Sequence, residues 1–542
     1  HAHVRVQATA FVCLARHQNP TPPPPPQSYH SSTLSTTVLM PPITILFVLI
    51  GSLGDTLPFL ALAEGLRVRH PDKYNIVFAA HEEHRPIVTE HGFGEGFSPI
   101  EPSIVSAVKD TPEGKALPTA GMLNGLTAAK AFFGKLFVQW HKGIISACLE
   151  HHPDLALLAT FPAYCGLTAL QDVLPRKIPY IVMHTVPAYP TSEFLPATLG
   201  YTLPLGFLNK FLWTVGETVS RSQVFEPLVD SIRAIEHLPK MTPAQRIAVA
   251  ASVSSTPTLY IFSQYLVPQP QDWPAAHRVI GSLVPEQDRR TLISHNDLSR
   301  PSTAITYEPP EELAEFLESV NEQSLPLVYM GLGSMLGTVV DGAQARTVIE
   351  AFIRATRLLS FACAAIINVK GYPLDNPEAG DLPVLKDGER QTILLWDGHV
   401  PHSYLFPLCD FIVHHGGAGT TQAAVLYSAR RVPRGLETVM EGAAALVVPC
   451  ATTSDQPFWG SVVQRLAMGP PAINVDKIDG RGIARAIEEG VRGKEGEVWR
   501  KNVGKVAVEM WGEDGVGAGC GVVEEMVERL QLGVEGSDMY KA

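Results

Sequence analysis

The chain is predicted to be an α/β protein: two doubly wound parallel-sheet domains facing each other across a cleft, followed by a helical tail. Three observations lead there. Short apolar runs rich in Val and Ile alternate with segments of helical periodicity, as expected of parallel strands buried on both faces by crossover helices. The alternation lapses between about 285 and 325 and restarts at Leu327. Residues 411–421, Phe-Ile-Val-His-His-Gly-Gly-Ala-Gly-Thr-Thr, carry an apolar strand into a glycine turn and a helix start. At 542 residues the chain is also too long for one core.

Residues 1–40 read as a disordered extension. The chain begins with His, Pro22 to Pro26 is an unbroken proline run, and the first methionine is Met40, which would be the working start. The alternative is a transit peptide, since the stretch holds Arg and Ser but no acidic residue. The first domain is placed at 41–290. Ile43 to Ile50 is a buried strand, and a Gly-Ser-Leu-Gly-Asp turn follows. A helix from about Pro58 to Arg69 comes next, with proline suited to its first turn. Asn75 to Ala80 is a strand, and 82–91 is a helix ending at Gly92. Asp154 to Leu158, Tyr180 to His184 and Thr258 to Phe262 repeat the strand pattern. A linker at 291–325 includes a helix at 311–320. The second domain, 326–500, has strands at Leu327 to Met330, Ala364 to Val369, Thr392 to Trp396, Phe411 to Val413 and Ala445 to Val448, with a helix at 343–359. Residues 501–542 are the tail, within a helical pattern running from Val498 to Leu532.

Composition is that of a soluble globular protein, 45% hydrophobic and 18% charged. A net charge of −12 without a basic stripe argues against a nucleic-acid partner. Seven scattered cysteines lack metal spacing, and no Asn-x-Ser/Thr sequon occurs. A reducing, cytoplasmic compartment is therefore expected. No run of 18 apolar residues appears, so no transmembrane helix is predicted. The nearest approach, 198–216, is broken by Pro204, Asn209 and Lys210. It reads as an apolar pocket wall or an interfacial helix in peripheral contact with a membrane.

The 411–421 stretch carries the chemistry. The first amides of a helix have no intrahelical partner, and the helix dipole favours negative charge there. Gly416, Gly417 and Gly419 let backbone approach a ligand where a Cβ would collide. A diphosphate is the expected guest.

Together with Asp455-Gln456-Pro457-Phe458-Trp459-Gly460, the His-His-Gly-Gly-Ala-Gly-Thr-Thr motif resembles the nucleotide-diphospho-sugar glycosyltransferases of family 1, closest to the sterol and lipid glucosyltransferase branch of fungi and bacteria. Gly51-Ser52-Leu53-Gly54-Asp55-Thr56-Leu57-Pro58-Phe59, Tyr329 to Met335 and Val400-Pro401-His402 are similar to further signatures of that branch, over roughly residues 42–500. The resemblance implies the GT-B fold, an N-terminal acceptor domain, a C-terminal donor domain, a UDP-sugar as donor substrate, and neither metal nor other cofactor. It implies transfer of a hexose, glucose above all, with inversion, to a hydroxyl of a lipophilic acceptor such as a sterol. A non-catalytic nucleotide-sugar-binding protein or partner subunit is the alternative.

On this resemblance Ser334, His414 and the backbone of Gly416, Gly417, Ala418, Gly419, Thr420 and Thr421 grip the diphosphate. Neighbouring strand-end side chains point to opposite faces, so His414 and His415 are not both expected at the phosphate, nor as a metal pair. Trp396 lies 18 residues before His414, the spacing of the uracil-stacking tryptophan in plant relatives, and backbone near Val400 would read the uracil edge. Asp455 and Gln456 match the pair that holds sugar hydroxyls. Asp55 matches the position of the plant general-base histidine; it would also suit a helix cap. An aspartate needs burial, or transfer concerted with UDP departure, to serve an alcohol as base. Residues 159–161, Ala-Thr-Phe, supply no second carboxylate. His81 and His84 lack zincin spacing and read as a solvated helix start, and His184 as a pocket or core residue. Leu53 and Leu57 replace polar residues of the branch and make the acceptor mouth more apolar. Residues 428–440 are about a dozen longer than the family's turn, either a loop or unspliced sequence, and could disturb Asp455 and Gln456.

Overall fold

The computed structural model describes residues 41–117, 120–199, 206–285, 288, 307–340, 342–372, 385, 392–434, 437–451, 454–534 and 539–540. The expected extension and residues 291–306 lie outside them. Pro42 onward forms one compact unit.

The strands are β1 (Ile43–Val48), β2 (Tyr74–Ala80), β3 (Phe97–Pro99), β4 (Leu155–Leu158), β5 (Tyr180–His184), β6 (Thr258–Tyr260) and β7 (His277–Val279), then β8 (Leu327–Gly331), β9 (Ala364–Asn368), β10 (Ile393–Trp396), β11 (Phe411–His414), β12 (Arg430–Arg434), β13 (Glu437–Glu441) and β14 (Ala444–Val447). The helices used below are α1 (Leu53–Arg69), α2 (Gly121–His151), α3 (Gly206–Ser220), α4 (Glu311–Glu322), α5 (Gly342–Leu358), α6 (Ala418–Ser428), α7 (Gln456–Arg465), α8 (Lys494–Trp511) and α9 (Gly515–Gln531).

The first sheet has the order β3-β2-β1-β4-β5-β6-β7 and the second β10-β9-β8-β11-β14, every pairing parallel. Strand alternation sorts the core. Ile45 and Phe47 of β1 face α1 and α9, where Leu62, Val523 and Met526 meet them. Leu46 and Val48 face α2, against Phe137 and Trp140. Both faces are covered, which is why the strand reads as an unbroken apolar run. In the second sheet Val328, Met330 and Val413 face α5, while Tyr329, Ile366 and Ile412 face the other way, towards α4.

The tail is not an appendage. It is two helices: α8 packs beside the second sheet, with Val503 and Ala507 in a core that also holds Phe262 and Trp459, and α9 crosses back onto the first. That shared core joins the two halves, and the Phe262 and Trp459 rings meet edge to face at 5.9 Å. Half of the expected linker is likewise structural, since Leu313, Phe316 and Val320 of α4 are buried against the second sheet.

Candidate active site at the facing strand ends

In the second sheet, β11 and β8 pair so that His414 lies opposite Gly331. The turns after these strands are therefore neighbours. The first, Gly333–Met335, leaves Ser334 exposed. The His415 ring lies beside it: a Cβ on Gly333 would stand 3.2 Å from His415 Cε1. The second turn begins at Gly416, whose φ of +88° is left-handed and whose absent Cβ would crowd Val447 and the Gln456 backbone. Gly417 is the N-cap of α6, which starts at Ala418. Thr421 closes the first turn, with its amide and Oγ1 both donating to the Gly417 carbonyl at 2.9 Å. Gly419 is exposed and Thr420 half-buried at the helix mouth.

His414 is fully buried. Burial, then the neighbouring His415 and His402, push its imidazole down to about 3, so the ring is neutral near pH 7. Its Nδ1 accepts the Gly416 N–H at 3.1 Å. A neutral ring that accepts at Nδ1 carries its proton on Nε2. That Nε2 is buried without a partner. An orphaned donor of this kind costs about 1–3 kcal/mol, a cost that a ligand oxygen would relieve.

Trp396 departs from expectation. The ring is 8% exposed, in the core with Tyr329, Ile366 and Leu394, and a Cβ on Gly398 would lie 2.7 Å from it. Strand alternation turns residues 394 and 396 to the helix-covered face, so the ring is not offered to a base. Val400 is buried at the following turn, where Asn368 Nδ2 donates to the Gly398 carbonyl at 3.1 Å. Gln456 is buried, and its Oε1 accepts the amides of Cys450 at 2.7 Å and Ala451 at 3.3 Å. It thus shapes the loop before α7, a duty that the spacing did not reveal. Asp455 is the N-cap of α7. Burial, then the charge of Asp55, raise its carboxyl to about 6, while the Ala418 amide opposes the rise.

That interaction brings the two halves together. Asp55 lies in the first turn of α1, which begins at Leu53 rather than Pro58. The Asp55 Oδ2 accepts the Ser52 N–H at 2.8 Å and the Ser52 hydroxyl at 3.2 Å. The residue caps its helix, and its charge is felt at Asp455. Burial raises its carboxyl, against the Ser52 bonds and His81. Pro58 has no N–H to give the Gly54 carbonyl, its partner one turn back. That oxygen points at the seam, 3.9 Å from where a Cβ on Gly419 would sit. The glycine turn and the aspartate loop therefore meet.

His81 and His84 are corrected: both are buried, not solvated. His81 Nδ1 donates to the Ile100 carbonyl at 2.7 Å, and His84 Nδ1 lies 2.9 Å from the Thr56 hydroxyl. Burial pushes His84 down to about 4. His184 at the end of β5 is buried and lies 3.0 Å from the Thr160 hydroxyl. β12 and β13 pair antiparallel ahead of β14, at the end of the sheet opposite His414. Sequence reasoning missed Gln422, a buried amide on an otherwise apolar face of α6. Its polarity among Ala and Val was the available signal. Among the described residues no group of three or more His, Cys, Asp or Glu is placed to hold a metal ion.

No protein-family profile matches the chain. It is 28% identical over 512 residues to a sterol 3-beta-glucosyltransferase of Arabidopsis thaliana, covering 91% of this chain and 66% of that protein. It is 28% identical over 442 residues to a sterol 3-beta-glucosyltransferase of Emericella nidulans, covering 79% of this chain and 26% of that protein. The chain thus spans between about a quarter and two thirds of the length of these relatives. Among solved structures, the calicheamicin glycosyltransferase aligns at a TM-score of 0.57 with 14% identity, over 91% of this chain and all of that one. A UDP-glucosyltransferase of Polygonum tinctorium aligns at 0.54 with 14% identity, over 91% and 99%. The chain has the GT-B glycosyltransferase fold and is similar in sequence to sterol 3-beta-glucosyltransferases.

Proposed function

We propose that the protein transfers a hexose, glucose from UDP-glucose, with inversion and without a metal, to a hydroxyl of a sterol or similar lipid. The observation that carries this is the orphaned Nε2–H of His414 beside the start of α6, set against a partly buried carboxylate from the other half. A diphosphate oxygen satisfies the orphan, and the helix dipole stabilises the charge that grows on departing UDP. Ser334 faces the same oxygens from the neighbouring turn. Asp455 takes sugar hydroxyls, Gln456 holds the loop that aims it, and the turn at Val400 receives the uracil edge.

Asp55 takes the acceptor's proton. Its two bonds from Ser52 both end on Oδ2, leaving Oδ1 for the hydroxyl. The acceptor oxygen attacks the anomeric carbon as its proton passes to Asp55. The bond from that carbon to the diphosphate breaks, and UDP leaves with the electron pair. Burial of the carboxyl answers the weakness of an ordinary aspartate as base. The Gly54 carbonyl lies 3.9 Å from where a Cβ on Gly419 would sit, and the halves part at this narrow seam to admit the donor.

Two apolar surfaces support a lipophilic acceptor. Leu53 and Leu57 are exposed around Asp55. On α3, Phe207, Phe211 and Val215 repeat every fourth residue and are 85%, 59% and 42% exposed, while Asn209 and Trp213 turn inward. Such a stripe suits contact with a lipid surface. No helix among the described residues is long and apolar enough to cross a membrane. The test is UDP release and product mass when the protein meets UDP-glucose and a panel of sterols. UDP binding without turnover across a broad panel would favour a non-catalytic binding protein.

A further inference from the structure

We infer that Gln422 is a positioning residue: it clamps the helix that faces the diphosphate to the first sheet, and the two halves turn about this clamp when the seam opens. The inference rests on the proposed donor site and adds the part that aims it.

Gln422 is the fifth residue of α6, one turn from the amides at the helix mouth. Its side chain leaves its own sheet and enters the other half. There Oε1 accepts the Ser263 N–H at 3.1 Å and the Ser282 hydroxyl at 2.5 Å, and Nε2 donates to the Ile261 carbonyl at 3.3 Å. These partners follow β6 and β7, and lie 140–161 positions earlier in the chain. Glu513, in the link between α8 and α9, closes the knot by accepting the Gln264 N–H at 3.0 Å. Three segments from both halves thus meet at one amide.

Ser263 and Gln422 are buried. Sliding α6 along this contact would strip buried backbone groups of their partners, which is costly. At the Gly54–Gly419 side of the same interface, the Gly54 carbonyl oxygen lies 3.9 Å from where a Cβ on Gly419 would sit, a close approach of small residues. The side of the seam at Gln422 is pinned by these buried hydrogen bonds. The pinned side also fixes the direction in which the α6 dipole and its first amides point, the placement on which donor capture depends.

The test uses the full chain with UDP as probe. In Gln422→Leu, which keeps bulk and removes all three bonds, UDP affinity should fall about ten-fold or more. Hydrogen exchange at the Ser263 amide should quicken by a similar factor, with far-ultraviolet circular dichroism unchanged. Ser282→Ala keeps the two backbone bonds and should give a smaller loss in the same direction; it serves if Gln422→Leu fails to fold. Exchange at Ser263 unaltered in the folded variants, or UDP affinity within two-fold of wild type, overturns the clamp. If wild type itself binds no UDP, the donor-site proposal fails, and the Ser263 exchange still decides whether the clamp exists.

Discussion

His414→Leu separates binding from stability. The wild-type ring makes one bond, from the Gly416 N–H to Nδ1, and carries one buried orphan at Nε2. Leucine removes both. Losing the acceptor strands the Gly416 amide, a cost of about 1–3 kcal/mol, and losing the orphan returns a similar amount. The two nearly cancel, so unfolding free energy should change by under about 1 kcal/mol, read from urea denaturation. UDP binding should change far more. A hydrogen bond to a charged phosphate contributes about 1.5–3 kcal/mol, so the dissociation constant should rise roughly 10- to 150-fold in isothermal titration calorimetry. Because the wild-type ring stays neutral down to about pH 3, this loss should be the same at pH 6 and pH 8. A folded His414→Leu protein with wild-type UDP affinity would refute the reasoning. A loss that appears only below pH 6.5 would show that the ring acts as a cation instead.

Three further outcomes follow from the geometry. Asp55→Asn keeps the size of the side chain and should cut turnover by about 100-fold or more while UDP affinity stays within a few-fold, checked by UDP release and calorimetry on one preparation. Gly416→Ala forces a Cβ into a left-handed turn against the Gln456 backbone; it should destabilise by about 1–3 kcal/mol and weaken UDP binding, and a variant as stable as wild type would count against the turn. Glu513 is raised by burial to about 7, so its folded form holds a proton that its unfolded form has lost. Its contribution to stability is intact below about pH 4.5 and fades as pH rises through 7, by about 1–3 kcal/mol. Glu513→Gln should remove that decline, as judged from melting curves between pH 4.5 and 8.

Much of the fold was legible because parallel strands buried on both faces are unbroken apolar runs. Ile43, Tyr180 and Phe411 start strands where the pattern starts. Helix starts were harder. Pro58 marked the expected beginning of α1, yet Ser52 and Asp55 form its true first turn, and the proline sits inside because the Gly54 carbonyl tolerates losing its partner at the helix end. The glycine motif was local in sequence, and its strand, turn and helix are present in that order. What stayed hidden is long-range. Trp396 had the right spacing, but strand parity points it into the core. The influence of Asp55 on Asp455 and the reach of Gln422 to Ser263 join positions far apart in the chain, and no local pattern encodes them. His81 and His84 looked solvated because Glu82 and Glu83 lie between them; both rings nonetheless fold inward.

The central claim is that a nucleoside diphosphate seats on the first amides of α6. Hydrogen exchange with and without UDP measures this at the backbone itself. Slowed exchange at Gly417, Gly419 and Thr420, with strands remote from the seam unchanged, is the predicted result. UDP that binds yet leaves those amides exchanging at their free rate would contradict it.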